Sequence, residues 1–203
     1  MASQVVVLDP QKLQRRRQIL DAAKHVFADS GYHGASIHAI IDRADIARGT
    51  FYLYFESKSA VFSSILDEAM ESLRRLMHRI DVDDPNAAPP QVQLRQQIVG
   101  ALEFVVQDRA LAMLLLSAGH TPDAEAAERL DQFFGEVRDL LRRAFESGQE
   151  IKLLRKVQPE LLAAAFLGMI RGVVEHIITH PQPPTVESVV DEILFVALRG
   201  VLA

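Results

Sequence analysis

The chain has 203 residues, of which 49% are hydrophobic and 24% are charged, as is ordinary for a folded, water-soluble protein. It contains no cysteine, which excludes disulfide bonds and thiol catalysis, and we find no apolar run approaching the ~20 residues that cross a bilayer. The net charge of −5 argues against a uniformly basic surface, but residues 1–60 carry eight Lys/Arg against six Asp/Glu. This excess suggests an anionic partner at one end, with chance variation as the alternative, and the whole composition fits the cytoplasm.

Helical spacing of apolar residues dominates the chain and predicts an all-α fold of about nine helices. Asp9-Pro10 is typical of a helix start, and Gly31 is expected to close that first helix. Ser36 can cap a second helix, and a very short break at Asp45-Ile46 separates it from a third helix at 47–54.

The second part of the chain continues this pattern with longer helices. A fourth helix is predicted from Ser57 to Ile80, followed by a loop at 81–90 that contains three prolines. The further predicted helices are at about 91–107, 109–118, Thr121-Pro122 to Ser147 with Gly148 as the stop, 159–179, and Thr185 to Leu202.

Two helices joined by a tight turn, near several arginines and a lysine, suggest a helix-turn-helix. The second of them begins Arg48-Gly49-Thr50, which places a cation, a glycine and a hydroxyl at a helix N-terminus, where free amides favour an anion. Four aromatic residues lie at 51–55, and we expect Phe51 and Phe55 to anchor this helix in the core. Without comparison to any known family, these residues suit DNA contact and core packing about equally.

The residues 31–37 and 44–58 resemble the DNA-binding signature of the TetR family of transcriptional regulators. The likeness includes the aromatic-rich helix that ends Tyr52-Leu53-Tyr54-Phe55 and the Ser57-Lys58 after it, and it extends over about residues 13–66. Two positions depart from the pattern: Asp45 stands where the family usually has glycine, and Ala47 replaces a frequent serine. Aspartate tolerates the left-handed conformation better than most residues, so the turn is expected to survive with slight strain.

The resemblance implies a three-helix helix-turn-helix domain at 1–56 and a helical ligand-binding and dimerisation domain at 57–203. It implies a ligand-responsive regulator, a repressor released from its operator by a small effector. The apolar effector is indicated by the methionine and phenylalanine residues of the predicted pocket and not by the resemblance. The partners implied are double-stranded, pseudo-palindromic operator DNA, the effector and a second copy of the chain, with no cofactor and no membrane. The residues expected to contact DNA are Arg16, Ser36, Arg48, Gly49, Thr50, Tyr52, Leu53, Tyr54 and Lys58. Arg16, with its neighbours Arg15 and Arg17, can reach phosphate or the minor groove, or can simply form a solvated helix face.

The helix at 159–179 is apolar on almost every side, so it must be covered on more than one side. We expect one side to cover an effector pocket and another to join a partner subunit, with one large monomeric core as the alternative. The predicted pocket residues are Leu66, Met70, Leu73, Met77, Phe104, Met113, Leu114, Phe133, Phe134, Val137, Phe166, Met169, Ile170 and Val173, although each taken singly suits the core as well. The predicted dimer interface comprises Gly168, Gly172, Val190, Ile193, Leu194 and Ala197.

Two other classes of protein compete with this interpretation. His176 and His180 are four residues apart on one helix, a spacing that can hold a metal ion if His120 or His78 converges with them. A cap at the negative end of the helix is the alternative role for this histidine pair. A helical adaptor without DNA affinity is the other rival. No Ser/His/Asp arrangement, phosphate-binding glycine loop or carboxylate pair stands out, so we expect no enzyme.

Overall fold

The computed structural model describes residues 9–117 and 123–201, and it describes side chains as far as residue 196 in the last helix. Within these ranges the regular elements are nine α-helices, which confirms the predicted all-α fold. The helices are α1 Pro10–Gly34, α2 Ile37–Arg43, α3 Arg48–Tyr52, α4 Lys58–Leu76, α5 Pro90–Gln107, α6 Arg109–Leu116, α7 Ala124–Glu150, α8 Pro159–Thr179 and α9 Val186–Val201.

Polar caps begin most of the helices where the sequence predicts them. Asp9 accepts a hydrogen bond from the Gln11 amide at 2.9 Å, and Pro10 is the first residue of α1. The hydroxyl oxygens of Ser36 and Ser57 accept bonds from the third amide of α2 and of α4, at 3.1 and 3.0 Å. Thr185 caps α9 in the same way, with 3.2 Å between its hydroxyl oxygen and the Ser188 amide nitrogen.

Three described residues have a positive φ: Gly31, Asp45 and, after α7, Lys152 with φ 59°. Gly31 has φ 67° and interrupts α1, so the first long stretch ends where the sequence predicts and one further turn follows. Asp45, between α2 and α3, has φ 48°, as expected for a residue that takes the place of glycine there.

Three predicted helix ends differ from the structure. The fourth helix ends at Leu76 rather than Ile80, and α3 is shorter than the predicted 47–54. The predicted stop at Gly148 is wrong, because α7 continues to Glu150. A Cβ at Gly148 would lie 2.7 Å from Leu154 Cδ1, so this glycine provides room for the chain that returns over the helix. The predicted start at Thr121-Pro122 lies outside the described residues.

The main core joins the N-terminal helices to the body. Buried residues of α1 to α4 form one cluster with residues of α6 and α7, and Phe51, Leu66 and Phe133 are among its fully buried side chains. A second cluster joins α5, α6, α8 and α9, and a third lies between α7 and α8. Because α4 contributes to the first cluster along most of its length, it ties the three N-terminal helices to the body. The division at residue 56 stays a prediction.

By length and composition, α8 could cross a membrane, contrary to our expectation from the sequence. Its apolar residues have other uses in the fold, since one side packs on α7 and contributes to the second and third clusters. Only 28% of its most apolar window is buried in the chain, so much of the helix surface remains uncovered.

Candidate nucleic-acid interface and effector cavity

The short helix α3 is anchored by its aromatic residues and exposes the rest of its surface. Phe51 and Phe55 are 0% and 5% exposed, which confirms that both belong to the core. On the opposite side, Tyr52 is 47% and Leu53 82% exposed. Because these two large side chains are neighbours and lie beside the exposed start of α3, they form one continuous exposed surface, which is a candidate contact surface.

The residues expected to read DNA fall into two groups on this surface. Arg48 and Gly49 are exposed at the start of α3, and the Arg48 guanidinium lies 5.9 Å from the centroid of the Tyr52 ring. Thr50 and Tyr54 are only half-buried, and Tyr54 packs against the first core cluster. Tyr52 is therefore more open to a partner than Tyr54.

Lys58 is engaged inside the chain. Its ammonium donates hydrogen bonds to the backbone oxygens of Tyr32 and Ala35, at 2.7 and 3.1 Å, and lies 4.2 Å from the centroid of the Tyr32 ring. These contacts join the start of α4 to the end of α1, a structural role that the sequence did not predict. A contact between Lys58 and a phosphate stays a prediction.

Arg16 also contacts its own chain. Its guanidinium pairs with the Glu68 carboxylate of α4 and lies 5.4 Å from the centroid of the Phe55 ring. Arg16 is therefore more than part of a solvated helix face, which was its alternative role, because its side chain joins α1 to α4. Its predicted contact with DNA is not tested by this geometry.

A large apolar cavity lies between the helices of the body. About 1440 Å³ of space lies between these helices, part of it open to solvent, and residues of α4 to α9 all contribute to its wall. Seven predicted pocket residues line it: Leu73, Met77, Phe133, Phe134, Val137, Phe166 and Ile170. The wall also includes a cation, Arg171, whose guanidinium lies 4.8 Å from the centroid of the Phe134 ring.

The other seven predicted pocket residues lie elsewhere. Leu66, Met70 and Leu114 are buried in the first core cluster, and Phe104 packs against it. Met113 is 38% exposed, and Met169 and Val173 pack against the second cluster. The correction has a geometric reason for α4: Leu66 and Met70 lie one to two turns nearer the N-terminal helices than Leu73 and Met77, so they face the junction rather than the cavity.

None of the α5 residues that line the cavity was predicted from the sequence. Leu94, Ile98, Ala101, Leu102 and Val105 line it and are spaced at three and four residues along one helix face. This spacing is visible in the sequence and could have predicted the face. The one α5 residue that was predicted to line the pocket, Phe104, packs against the first core cluster instead. The contacts of α9 were not readable, because they depend on how the last helix folds back over α5.

The predicted dimer residues whose side chains the structure describes lie in three different environments. Gly168 and Gly172 are exposed on α8, and a Cβ at either would meet nothing within 4 Å. Val190 and Ile193 are 0% and 5% exposed within the chain, so their assignment to an interface is wrong. Leu194 lines the cavity. The physical reason is that α9 turns its apolar stripe onto α5 and α8 of its own chain, where Arg95 and Asp191 form a two-point ion pair. The side chain of Ala197 lies outside the described residues.

One half-buried ion pair connects the helix-turn-helix to the body. Asp108, which caps α6, accepts a hydrogen bond from Lys24 of α1, and its neighbour Arg109 donates to the backbone oxygen of Ile178 in α8. Burial opposes the charge of Asp108, but the bonds from Lys24 and from the Leu111 amide outweigh it and hold its pKa below the usual range. Burial likewise opposes the charge of Lys24, yet the bond to Asp108 leaves its pKa raised.

The histidine pair that suggested a metal site has local partners. The rings of His176 and His180 lie 4.9 Å apart, and Nδ1 of His180 is 2.9 Å from the backbone oxygen of Gln182. Among the described residues, no three His, Cys, Asp or Glu side chains are grouped so as to hold a metal. His120, one possible further ligand, lies outside them.

Comparison with known proteins agrees with this architecture. Residues 19–65 match the family of bacterial regulatory proteins, tetR family, and residues 87–175 match the tetracyclin repressor-like C-terminal domain. The chain therefore belongs to the TetR family, a class of ligand-responsive, DNA-binding transcriptional regulators. The members it resembles are regulators and not enzymes.

The chain is 31% identical over 140 residues to the HTH-type transcriptional repressor KstR of Mycobacterium tuberculosis, which covers 67% of this chain and 60% of that protein. It is 25% identical over 156 residues to the fatty acid metabolism regulator protein of Bacillus subtilis, covering 72% and 79%. The transcriptional regulator FadR from Bacillus subtilis in complex with stearoyl-CoA has the same fold, with a TM-score of 0.72, 23% identity and coverage of 91% and 98%. In the comparison with KstR, the chain spans 60% of that protein, which is less than two thirds of its length.

Proposed function

We propose that the chain is a cytoplasmic, homodimeric repressor, without a cofactor or catalytic role, that leaves its operator when a small apolar effector fills the cavity. The observation that carries the proposal is that the N-terminal helices expose α3, while the helices of the body surround an apolar cavity. DNA-binding repressors of this class need a helix that can enter the major groove and a ligand site that can change its position.

The α3 surface supports the DNA-binding part of the proposal. Tyr52 and Leu53 project from a helix whose base is held by Phe51 and Phe55. Arg48 at the start of this helix can contact a phosphate or a guanine edge, and Leu53 can contact a thymine methyl group. A rigid base with an exposed polar and apolar face is what direct reading of base edges requires.

Incomplete burial of α8 and α9 supports the dimer. Leu161 of α8 is 67% exposed, and Phe195 and Val196 of α9 are 54% and 67% exposed. Gly168 and Gly172 allow a partner helix to approach α8 closely. We propose that these two faces pair with the same faces of a second copy, because two readers are needed for a pseudo-palindromic operator.

The wall of the cavity supports an apolar effector. It is built almost entirely from aliphatic and aromatic side chains, which favour hydrocarbon over polar ligands. Several relatives are regulators of fatty acid metabolism by name, and one related structure holds stearoyl-CoA. An apolar ligand, such as one with an acyl chain, is therefore the class that we propose.

The helix α4 provides a route from the cavity to α3. Its 19 residues span about 28 Å, with Leu73 near the cavity end and Lys58 just after α3. Arg74 of α4 pairs with Glu136 of α7, and Arg129 of α7 pairs with Asp67 of α4, so α4 is in contact with a second helix of the cavity wall. We propose that the effector displaces the cavity end of α4 and thereby changes the spacing of the two α3 helices in the dimer.

The DNA-binding part can be tested without knowing the operator. Purified protein is used to select binding sequences from random duplex DNA, and affinity for the selected sequence is measured by fluorescence anisotropy. Tyr52→Ala is expected to weaken binding by at least about tenfold, as expected for a lost base or phosphate contact. Val82→Ala, at a residue 46% exposed in the loop after α4, is the control and should leave affinity unchanged. Failure to enrich any sequence would refute the proposal.

The assembly and response parts need separate measurements. Gly168→Arg should convert the dimer to a monomer in sedimentation and abolish operator binding, because it places bulk and charge where two helices approach. If an effector lowers the affinity for operator DNA by some factor, operator DNA must lower the affinity for the effector by the same factor. For a compound shown to fill the cavity, an affinity that is the same with and without operator DNA would refute the lever. An unchanged dimer would move the interface elsewhere.

A further inference from the structure

Helix α5, which forms part of the cavity wall, contains a buried polar side chain whose amide nitrogen has no hydrogen-bond partner among the described residues. Gln97 is 6% exposed, the only polar residue in the described chain with so little exposure. Its Nε2 has no hydrogen-bond partner among the residues that the structure describes. A buried donor that is left unpaired destabilises a fold, so such a group calls for a function.

The position of Gln97 is set by its neighbours on α5. Leu94 and Ala101 line the cavity, and Gln97 lies on the same helix between them, beside the lining residue Ile98. One turn further, a Cβ at Gly100 would lie 3.3 Å from Leu76 Cδ2 of α4. Gln97 itself is not among the residues that line the cavity, so its side chain lies behind the wall, on the side where α5 meets the C-terminal end of α4.

We propose that Gln97 is the residue that recognises a polar atom of the effector, by donating a hydrogen bond from Nε2 to a neutral oxygen. This inference rests on the proposed effector cavity. The ligand class that it defines is a hydrocarbon skeleton carrying a neutral acceptor, such as the carbonyl of a ketone, ester, thioester or lactone. A rotation of the side chain brings the amide from its dry position to the cavity.

The surroundings of Gln97 favour a neutral ligand oxygen, rather than a charged one, as the acceptor for Nε2. The one cation in the described wall, Arg171, is on α8 with its guanidinium against the Phe134 ring of α7, and the α5 residues around Gln97 that line the cavity are apolar. Burying a charged group beside these α5 residues is strongly unfavourable. An amide offers a dipole and no charge, so it stabilises a carbonyl oxygen but cannot neutralise a carboxylate. Pairing also removes the penalty of the unsatisfied Nε2, so ligand binding and the relief of this strain reinforce each other.

The test uses two probes with one carbon skeleton. Butylbenzene and butyrophenone differ only in that a CH₂ group of the first is a carbonyl in the second. Their affinities for the full chain are measured by isothermal titration calorimetry, in wild type and in Gln97→Met, which keeps the size of the side chain and removes the donor. Gln96→Met, at the exposed neighbouring glutamine of α5, is the matched control.

We expect the ratio of butyrophenone to butylbenzene affinity to fall about tenfold in Gln97→Met, as for one lost hydrogen bond, and to stay unchanged in Gln96→Met. Butylbenzene affinity itself should not fall. A ratio that is equal in wild type and Gln97→Met would overturn the inference while leaving the apolar effector in place. If neither probe binds wild type, the apolar effector and this inference both fail. Should Gln97→Met not fold, Gln97→Leu provides the same comparison, and circular dichroism checks both.

Discussion

The contacts of Lys58 assign a structural role to a residue that the family resemblance places at the DNA. Lys58→Met keeps the aliphatic stem and removes the ammonium, which leaves the backbone oxygens of Tyr32 and Ala35 without their donor. Hydrogen bonds from a charged donor contribute about 1 kcal/mol or more each, and the contact with the Tyr32 ring adds a smaller amount. Since Lys58 is partly exposed, we expect the free energy of unfolding to fall by about 2 kcal/mol in total.

The assay is urea unfolding followed by far-ultraviolet circular dichroism, since the chain is helical and has no tryptophan. Protein concentration is held constant because dimerisation would change the apparent stability. Lys12→Met, at an exposed lysine of α1, is the control and should change stability by less than about 0.5 kcal/mol. Equal stabilities of the two variants would refute the structural role of Lys58.

The same variant separates stabilisation from phosphate binding. If Lys58 also contacts a phosphate, Lys58→Met lowers the slope of log affinity against log salt by about one unit. If it acts only within the chain, operator affinity falls through the weakened fold and the slope is unchanged. A change of sequence preference without a change of slope would contradict both roles.

Three further changes test the helix-turn-helix and its junction with the body. Ser36→Ala should lower the free energy of unfolding by about 1 kcal/mol through the lost cap of α2, and Ser36→Gly by only a few tenths; equal losses in urea unfolding would show that the cap is not the cause. Asp45→Gly should be more stable than Asp45→Ala by about 1 kcal/mol, because only glycine adopts positive φ without strain, and a more stable alanine variant would contradict the left-handed turn. The lowered pKa of Asp108 means that its contribution is complete above the normal carboxyl range and is lost as the pH falls through the folded-state value. The raised pKa of Lys24 keeps the partner charged throughout that range. Wild type should therefore lose more stability than Asp108→Asn between pH 7 and pH 3, and identical acid unfolding of the two proteins would exclude this pair as a stabilising contact.

Local chemistry made much of the fold predictable. Helix starts at Asp9-Pro10, Ser36, Ser57 and Thr185 were readable because a cap depends on residues within one turn of it. Gly31 and Asp45 were readable as turns for the same reason. The buried and exposed faces of α3 followed from the four-residue spacing of Phe51 and Phe55.

The sequence by itself determined the all-α class, the position of the helix-turn-helix and the family, because each depends on short-range periodicity or on an ordered run of residues. Tertiary structure alone decided which apolar residues meet: Val190 and Ile193 are equally suited to a core or to an interface, and the fold places them in the core. It also placed Leu66 and Met70 below the cavity rather than in it. The bonds of Lys58 and the unpaired amide of Gln97 belong to the same group, because helical periodicity tells which residues share a face but not which helix will cover that face.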